Sequence, residues 1–303
     1  MATAVVLIFT AVNFVGAKAV GKSELFIVSV KVGILLVFAT TGLFFIKPTL
    51  LSLSRWPQVS NVFFGAGIVF VAYEGFGLIT NAAEDMENPR KTLPKALYLS
   101  VLISIVIYAV VSLTVLGNLP ISEIVNAEEY ALAAAAKPFL GLIGFKIAAI
   151  AALFSTASAI NATLYGGANV SYMMAKEGEL PRIFKRKIWG KGYEGLFITA
   201  GLVILCINLL NLEGVALLGS ASFLCIYAAV NIAHLRLYRE TGANPFLIWT
   251  SIVGCFISLG FLIYYEINNS PLTVIVLGIV FFLSFGVEGG FRKYSQRLLK
   301  QRA

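Results

Sequence analysis

The stretch that decides the fold is residues 63–94, FFGAGIVFVAYEGFGLITNAAEDMENPRKTLP. It opens with an apolar run of membrane-spanning length that contains four glycines and one carboxylate, Glu74. A charged side chain at the middle of a membrane helix costs roughly 2.5–3.5 kcal/mol on insertion scales. We therefore expect Glu74 to face a partner or water, either as a functional group or as a protonated group in a hydrogen bond between helices.

The four glycines of this stretch allow two interpretations. Small residues let membrane helices pack closely. Alternatively, the helix is discontinuous and unwound near residues 72–77, so that free backbone groups line a substrate cavity.

Composition extends the membrane interpretation to the whole chain. Of the 303 residues, 59% are hydrophobic and 13% are charged, and the mean hydropathy is +0.88, whereas soluble domains carry about 25% charged residues. The basic residues lie between apolar segments, which argues against nucleic-acid binding. Three cysteines within apolar stretches and a single histidine offer no metal or cofactor pattern, so we expect neither, and no catalytic site.

Nine hydrophobic segments follow along the chain, and together they predict an all-α polytopic membrane protein. They are residues 2–16, 24–46, 62–83, 94–117, 139–175, 195–212, 214–235, 246–266 and 271–288. The first is too short to cross about 30 Å of hydrocarbon. We therefore predict a single transmembrane domain over 1–288 and a basic tail over 289–303.

The charges of the loops predict the orientation. Eighteen of the 23 basic residues fall on one side of the predicted topology, including those of residues 176–191 and of the tail. The positive-inside rule places that side, with the C-terminus, in the cytoplasm of a cell-membrane protein, and the tail next to anionic lipid. A chain starting outside with so short a segment suggests missing sequence upstream.

Lys31 is the second costly residue in the membrane. It lies eight residues into the second segment, where it either snorkels to the interface or serves as a proton carrier, since desolvation disfavours a charged lysine. The fifth segment offers hydroxyl and amide partners at helical spacing. They are Ser155, Ser158, Asn161 or Ala162, Tyr165 and Asn169.

Three motifs carry a family resemblance. FVAYEGFGLITNAAEDMENPRKTLPKAL (70–97) resembles the sixth-helix signature of the amino acid–polyamine–organocation permeases. FSTASAINATLYGGANVSYMMAKEGELP (154–181) is similar to their eighth helix, and residues 9–42 are similar to the end of helix four and helix five. The resemblance covers essentially the whole chain and implies helices four to twelve of a five-plus-five inverted-repeat fold with two additional C-terminal helices.

The resemblance also implies a site. Backbone of the break would contact an amino acid's polar head, and Phe70, Tyr73 and Phe76 would shape the side-chain pocket. The implied substrate-binding residues are Phe70, Ala72, Tyr73, Glu74, Gly75, Phe76 and Gly77. Lys31 matches a lysine that takes the place of a sodium ion in proton-coupled members. Ser155 and Thr156 match hydroxyls around that position, and Ser158 joins them as a proton-coupling candidate.

The resulting prediction is a proton-coupled amino acid permease that lacks the first three helices. The alternative is a non-transporting or split-transporter subunit, which needs a partner chain for the missing helices. The aromatic residues near the break favour a neutral or apolar amino acid only slightly, and sodium coupling or exchange stays open.

Overall fold

The computed structural model describes residues 2–15, 17–188, 192–269 and 271–294, and this part of the chain is predominantly helical. Its α-helices are α1 (Ala2–Val15), α2 (Ala17–Leu43), α3 (Val59–Val69), α4 (Pro89–Asn118), α5 (Ile121–Ala127), α6 (Ala131–Lys176), α7 (Glu194–Leu209), α8 (Leu212–Thr241), α9 (Pro245–Asn269) and α10 (Pro271–Tyr294). Its 3₁₀ helices are Pro48–Leu51, Leu53–Arg55, Phe70–Asp85, Glu128–Tyr130 and Arg182–Lys185.

Seven helical stretches of the described residues are long and apolar enough to cross a membrane. This finding confirms the predicted class, an all-α polytopic membrane protein. The predicted segments 2–16 and 195–212 coincide with two shorter apolar helices, Ala2–Phe14 and Glu194–Leu209. The second of these has 16 residues, which at 1.5 Å per residue is about 24 Å, less than the hydrocarbon thickness.

The β-strands among the described residues form one small hairpin in the basic loop after α6. Strands β1 (Lys187–Ile188) and β2 (Gly192–Tyr193) pair antiparallel, with Lys187 opposite Tyr193. The predicted basic tail, 289–303, begins within α10, and residues 295–303 lie outside the described residues.

The chain divides into two compact units. Unit A comprises Met1–Trp56 and Phe76–Ile204, and unit B comprises Pro57–Gly75 and Leu205–Ala303. In unit A, α2 packs against α4 and α6. The α2–α4 contact is fixed by two fully buried polar side chains of α4: Thr114 donates to the Ala39 carbonyl (3.1 Å), and Asn118 donates to the Gly42 carbonyl (2.9 Å).

A kink divides α6 near its start. Gly141 has φ +65° and ψ −161°, a conformation that favours a residue without a Cβ. The helix continues after this kink to Lys176, and this long arm carries the hydroxyl and amide side chains that the sequence singled out.

In unit B, α3 packs against α8 and α9, and α9 packs against α10. The core of this unit is a cluster of buried aliphatic side chains from the last three helices. They are Leu217 and Ala221 of α8, Leu262 of α9 and Leu277 of α10. At the C-terminal end of α3, Ser220 of α8 contacts the backbone of Ile68.

Candidate functional site

The apolar helix that begins at Val59 changes its winding at Phe70. The α-helical part ends at Val69, and the backbone continues as a 3₁₀ helix from Phe70 to Asp85. At the junction the Phe70 N–H donates to the Gly67 carbonyl, three residues back rather than four. Runs of 3₁₀ helix longer than three or four residues are uncommon, and a stretch within a longer helix often marks a functional hinge.

A serine of α8 completes the hydrogen bonding at this junction. The Ser220 hydroxyl accepts from the Val71 N–H at 3.0 Å and donates to the Ile68 carbonyl at 2.8 Å. Ser220 has no exposed surface. A buried side chain therefore supplies the backbone partners at the point where one hydrogen-bonding pattern gives way to the other.

The prediction of an unwound backbone near residues 72–77 is corrected by this geometry. The discontinuity is a tightening of the helix, and it begins at Phe70. The glycines differ in what surrounds them. A Cβ at Gly67 would contact Leu262 of α9 at 3.5 Å, whereas a Cβ at Gly75 or Gly77 would meet no described atom within 4 Å. Gly67 therefore faces α9, whereas no described atom packs against the Cβ position of Gly75 or Gly77.

The 3₁₀ winding sorts the predicted substrate-binding residues onto three faces, because side chains three residues apart are eclipsed in such a helix. Ala72 and Gly75 share a face and are both exposed, while Tyr73 and Phe76 are both partly buried. Phe70 precedes Tyr73 by one further turn and is also partly buried. Small exposed residues therefore lie beside a row of aromatic ones.

The third face carries Glu74, which pairs with α8. The Tyr227 hydroxyl donates to Glu74 Oε2 at 2.9 Å. Glu74 Oε1 is buried and has no hydrogen-bond partner in the part of the chain that the structure describes. Tyr227 is held between two aromatic rings, with its centroid 6.2 Å from that of Phe70 and 6.3 Å from that of Phe223. The expectation that Glu74 faces a partner agrees with this contact.

In unit A the structure brings Lys31 to one of the predicted hydroxyls. Lys31 Nζ donates to Ser158 Oγ at 3.2 Å, and Ser158 is only 7% exposed. The ammonium is partly buried, and it lines a cavity of about 420 Å³ between α2, α4 and α6 together with Ser155 and Thr156. All four predicted proton-coupling residues therefore gather at this place.

The polar side chains of α6 near Lys31 differ in their hydrogen-bond partners. Thr156 is exposed, and its hydroxyl donates to the Ala152 carbonyl of its own helix at 3.0 Å. One turn beyond Ser158, the buried Asn161 accepts a 2.8 Å hydrogen bond from Asn13 of α1. Two members of the polar stripe predicted on the fifth segment thus make hydrogen bonds to other helices. Ser158 contacts α2, and Asn161 contacts α1.

Four residues at the Lys31 cavity and at the 3₁₀ segment do not stand out in the sequence. Ser104 and Tyr108 of α4 line the Lys31 cavity, and Ser220 and Tyr227 of α8 contact the 3₁₀ segment. Each pair has a helical spacing, four or seven residues, that places both members on one face. That spacing is the only signal in the sequence, and many pairs share it.

The described residues contain no group of three or more histidine, cysteine, aspartate or glutamate side chains that could hold a metal ion. Seven apolar helices of membrane-spanning length among the described residues are those of a multi-pass membrane protein. A family model described as "Amino acid permease" matches residues 1–288. The chain therefore belongs to the amino acid permease family, whose members are transporters rather than enzymes.

The chain is also similar to curated relatives over most of its own length. The chain is 48% identical over 266 residues to the uncharacterized protein MJ0609 of Methanocaldococcus jannaschii, covering 86% of this chain and 60% of that protein. It is 32% identical over 278 residues to the inner membrane transport protein YbaT of Escherichia coli, covering 91% and 65%. It is 26% identical over 250 residues to the methylthioribose transporter of Bacillus subtilis, covering 79% and 52%. The chain thus spans less than two thirds of the length of each of these relatives.

Proposed function

We propose that the protein takes part in proton-coupled secondary transport of an amino acid across the cell membrane. The observation that carries this proposal is the winding change at Phe70 in a chain of the amino acid permease family. Irregular helix at membrane depth is tolerated where it is buried in protein or lines a cavity. Discontinuous membrane helices form the substrate sites of many secondary transporters.

The proposed substrate-binding segment is Phe70–Gly77, as the family resemblance implies. Its exposed face, Ala72 and Gly75, offers backbone without bulky side chains, so a small solute can approach closely. The aromatic face beside it suits the apolar part of a neutral amino acid. Glu74 Oε1 is an acceptor without a described donor, and an ammonium group from the substrate would satisfy it after a local rearrangement.

The proposed coupling group is Lys31. Its hydrogen bond to the buried Ser158 fixes the ammonium beside a cavity in the membrane-spanning part of unit A. In this proposal Nζ carries the coupling proton during a transport cycle, as the family resemblance implies. Ser158 is the acceptor that holds the protonated form in place.

Orientation and location complete the proposal. The basic loops and the basic tail lie on one side of the predicted topology, and the positive-inside rule makes that side cytoplasmic. Residues of the tail would then contact anionic lipid of the cell membrane.

Uptake into vesicles tests the proposed function directly. The purified protein is reconstituted, an inward proton gradient is imposed, and radiolabelled leucine, alanine, glutamate, lysine and methylthioribose are offered, the last because a relative carries that name. We expect accumulation of a neutral amino acid that collapses when a protonophore dissipates the gradient. Uptake of methylthioribose alone would contradict the amino acid assignment. Accumulation that ignores the protonophore would contradict proton coupling.

Lys31→Ala tests the coupling group. We expect it to abolish accumulation driven by the proton gradient while substrate binding, measured by thermal shift, is partly retained. Lys146→Ala is the matched control, because Lys146 is an exposed lysine of α6 in the same unit. Unchanged dependence on the gradient in Lys31→Ala would reject the role of Lys31.

A partner chain is the remaining proposal. If the purified chain alone transports no solute, affinity purification from its native membrane tests for a subunit that restores uptake on co-reconstitution. Uptake by the purified chain alone would show that no such subunit is required.

A further inference from the structure

We infer that Ser220 is a positioning residue for the substrate-binding segment, because its hydroxyl fixes the place and the kind of the winding change at Phe70. This inference rests on the proposed function, since it concerns the segment proposed to bind the amino acid. Ser220 does not belong to that segment. It acts from α8 through the backbone of Ile68 and Val71.

The hydrogen bonds at the junction show why a hydroxyl is needed. In a continuing α-helix the Val71 N–H would donate to the Gly67 carbonyl; at this junction the Phe70 N–H donates to that carbonyl, and the Val71 N–H donates to Ser220 Oγ. Ser220 Oγ accepts the Val71 N–H and donates its own proton to the Ile68 carbonyl. A serine hydroxyl can do both at once. An alanine at this position can do neither.

Burial makes the two hydrogen bonds of Ser220 hard to replace. Ser220 is 0% exposed, so water has no access to the junction from this side. Its neighbour Gly219 permits the close approach, since a Cβ there would come within 2.8 Å of Val71 Cγ2. Gly219 therefore leaves room for Val71 to approach α8, and Ser220 supplies the hydroxyl that accepts from the Val71 N–H.

The winding that Ser220 fixes determines which way the following side chains point. Val71 and Glu74 are three residues apart, so they are eclipsed in a 3₁₀ helix and both face α8. In an α-helix, with 3.6 residues per turn, Glu74 would be rotated by about 60° from the direction of Val71. The hydrogen bond between Tyr227 and Glu74 and the shared exposure of Ala72 and Gly75 both depend on the tighter winding.

Two measurements on Ser220→Ala test the inference. The first is amide hydrogen exchange at Val71 in detergent, which requires no transport activity. We expect exchange at least about tenfold faster than in the wild type, because the buried amide loses its acceptor. The second is uptake of the amino acid that the wild type accumulates. We expect the KM to rise about tenfold while the maximal rate stays within about threefold, since the segment binds substrate less well but the transport machinery is untouched.

The conservative variant and a matched control separate positioning from general stability. Ser220→Thr keeps the hydroxyl and is expected to restore the KM to within about threefold of the wild type. Ser284→Ala removes an exposed hydroxyl of α10 that donates to the Val280 carbonyl of its own helix, and it is expected to change neither readout. Gly219→Ala disturbs the same contact through Val71 and is expected to raise the KM as Ser220→Ala does.

The outcomes distinguish this inference from the proposed function. If the wild type accumulates no solute of the panel, the proposed function fails, and the exchange rate of Val71 still decides whether Ser220 holds the junction. Unchanged exchange at Val71 in Ser220→Ala would overturn the inference. A KM equal to that of the wild type in Ser220→Ala would also overturn it.

Discussion

At the scale of single residues, both proposed sites pair a costly polar side chain with one partner from another helix. Lys31 contacts Ser158, and Glu74 contacts Tyr227. Interhelical hydrogen bonds in membranes average about 0.6 kcal/mol, with a maximum near 1.7 kcal/mol. Such values are too small to offset the insertion cost of a charge, roughly 2.5–3.5 kcal/mol. Fold stability alone therefore does not explain why these two ionisable residues lie at these positions.

Tyr227→Phe tests the Glu74 contact. The change removes the donor to Glu74 Oε2 and leaves both oxygens of a partly buried carboxyl without a described donor. We expect a loss of about 1 kcal/mol of stability, measured by thermal unfolding in detergent, and a lower apparent affinity for substrate, measured by uptake.

Tyr264→Phe is the control for this change, because Tyr264 of α9 is 69% exposed in the same unit. Equal stability and equal substrate affinity in Tyr227→Phe and the wild type would show that the contact has no role in binding.

The sequence singled out both members of the Lys31–Ser158 contact, but only Glu74 of the Glu74–Tyr227 contact. Lys31, Ser158 and Glu74 stand out because ionisable or polar side chains are rare in apolar segments. Tyr227 and Ser220 do not stand out, since tyrosine and serine are ordinary in membrane helices and join helices for many reasons. Their roles follow from a neighbour more than 140 residues away in sequence, and a single sequence does not reveal such a contact.

At the scale of elements, the predicted discontinuity is present but differs in position and kind. The glycines drew the prediction to residues 72–77, because glycine tolerates unusual backbone conformations. The winding changes at Phe70 instead, where a residue of α8 meets the backbone groups of Ile68 and Val71. A tertiary contact lies at this boundary, and helix propensity along the chain does not reveal a tertiary contact.

Gly75→Ala tests whether the exposed face of the 3₁₀ segment is space for substrate. A Cβ at this position meets no described atom within 4 Å, so we expect thermal stability within about 1 kcal/mol of the wild type. If substrate occupies that space, the added methyl group raises the KM for uptake by several-fold.

Gly67→Ala is the matched control for Gly75→Ala. Its Cβ would meet Leu262 and the Ser258 carbonyl at ordinary contact distances of 3.4–3.6 Å, on the side of the helix that packs against α9. We expect Gly67→Ala to leave the KM unchanged. A wild-type KM in Gly75→Ala would show that substrate does not use the face of Gly75.

At the scale of the whole molecule, hydropathy predicted the class and the approximate helix positions correctly. Seven helices of the described residues are long enough to cross a membrane, and the two shorter apolar helices fall where the sequence predicted segments. Bounds such as the extension of α8 to Thr241 and the kink at Gly141 were not predicted. Polar helix ends carry little hydropathy signal, and a glycine marks a kink only in the context of its neighbours.

The orientation is tested by labelling single cysteines in a variant whose three native cysteines are replaced by serine. We expect Ser54→Cys, in the loop between α2 and α3, to react with a membrane-impermeant maleimide on intact cells. We expect Arg186→Cys, in the basic loop after α6, to react only after permeabilisation, because the positive-inside rule makes that loop cytoplasmic. The opposite pattern would show that the predicted topology is inverted. Equal labelling of both positions on intact cells would contradict the prediction that they lie on opposite sides of the membrane.

Substrate protection of Ala72→Cys tests the central claim, that the segment after the winding change binds the transported solute. Ala72 is exposed on the 3₁₀ segment, so in the cysteine-free background a small maleimide should label it in reconstituted vesicles. A saturating concentration of the transported amino acid is expected to slow this labelling at least about fivefold, while labelling of Ser54→Cys stays constant. Identical labelling of Ala72→Cys with and without substrate, or no labelling under either condition, would contradict the claim.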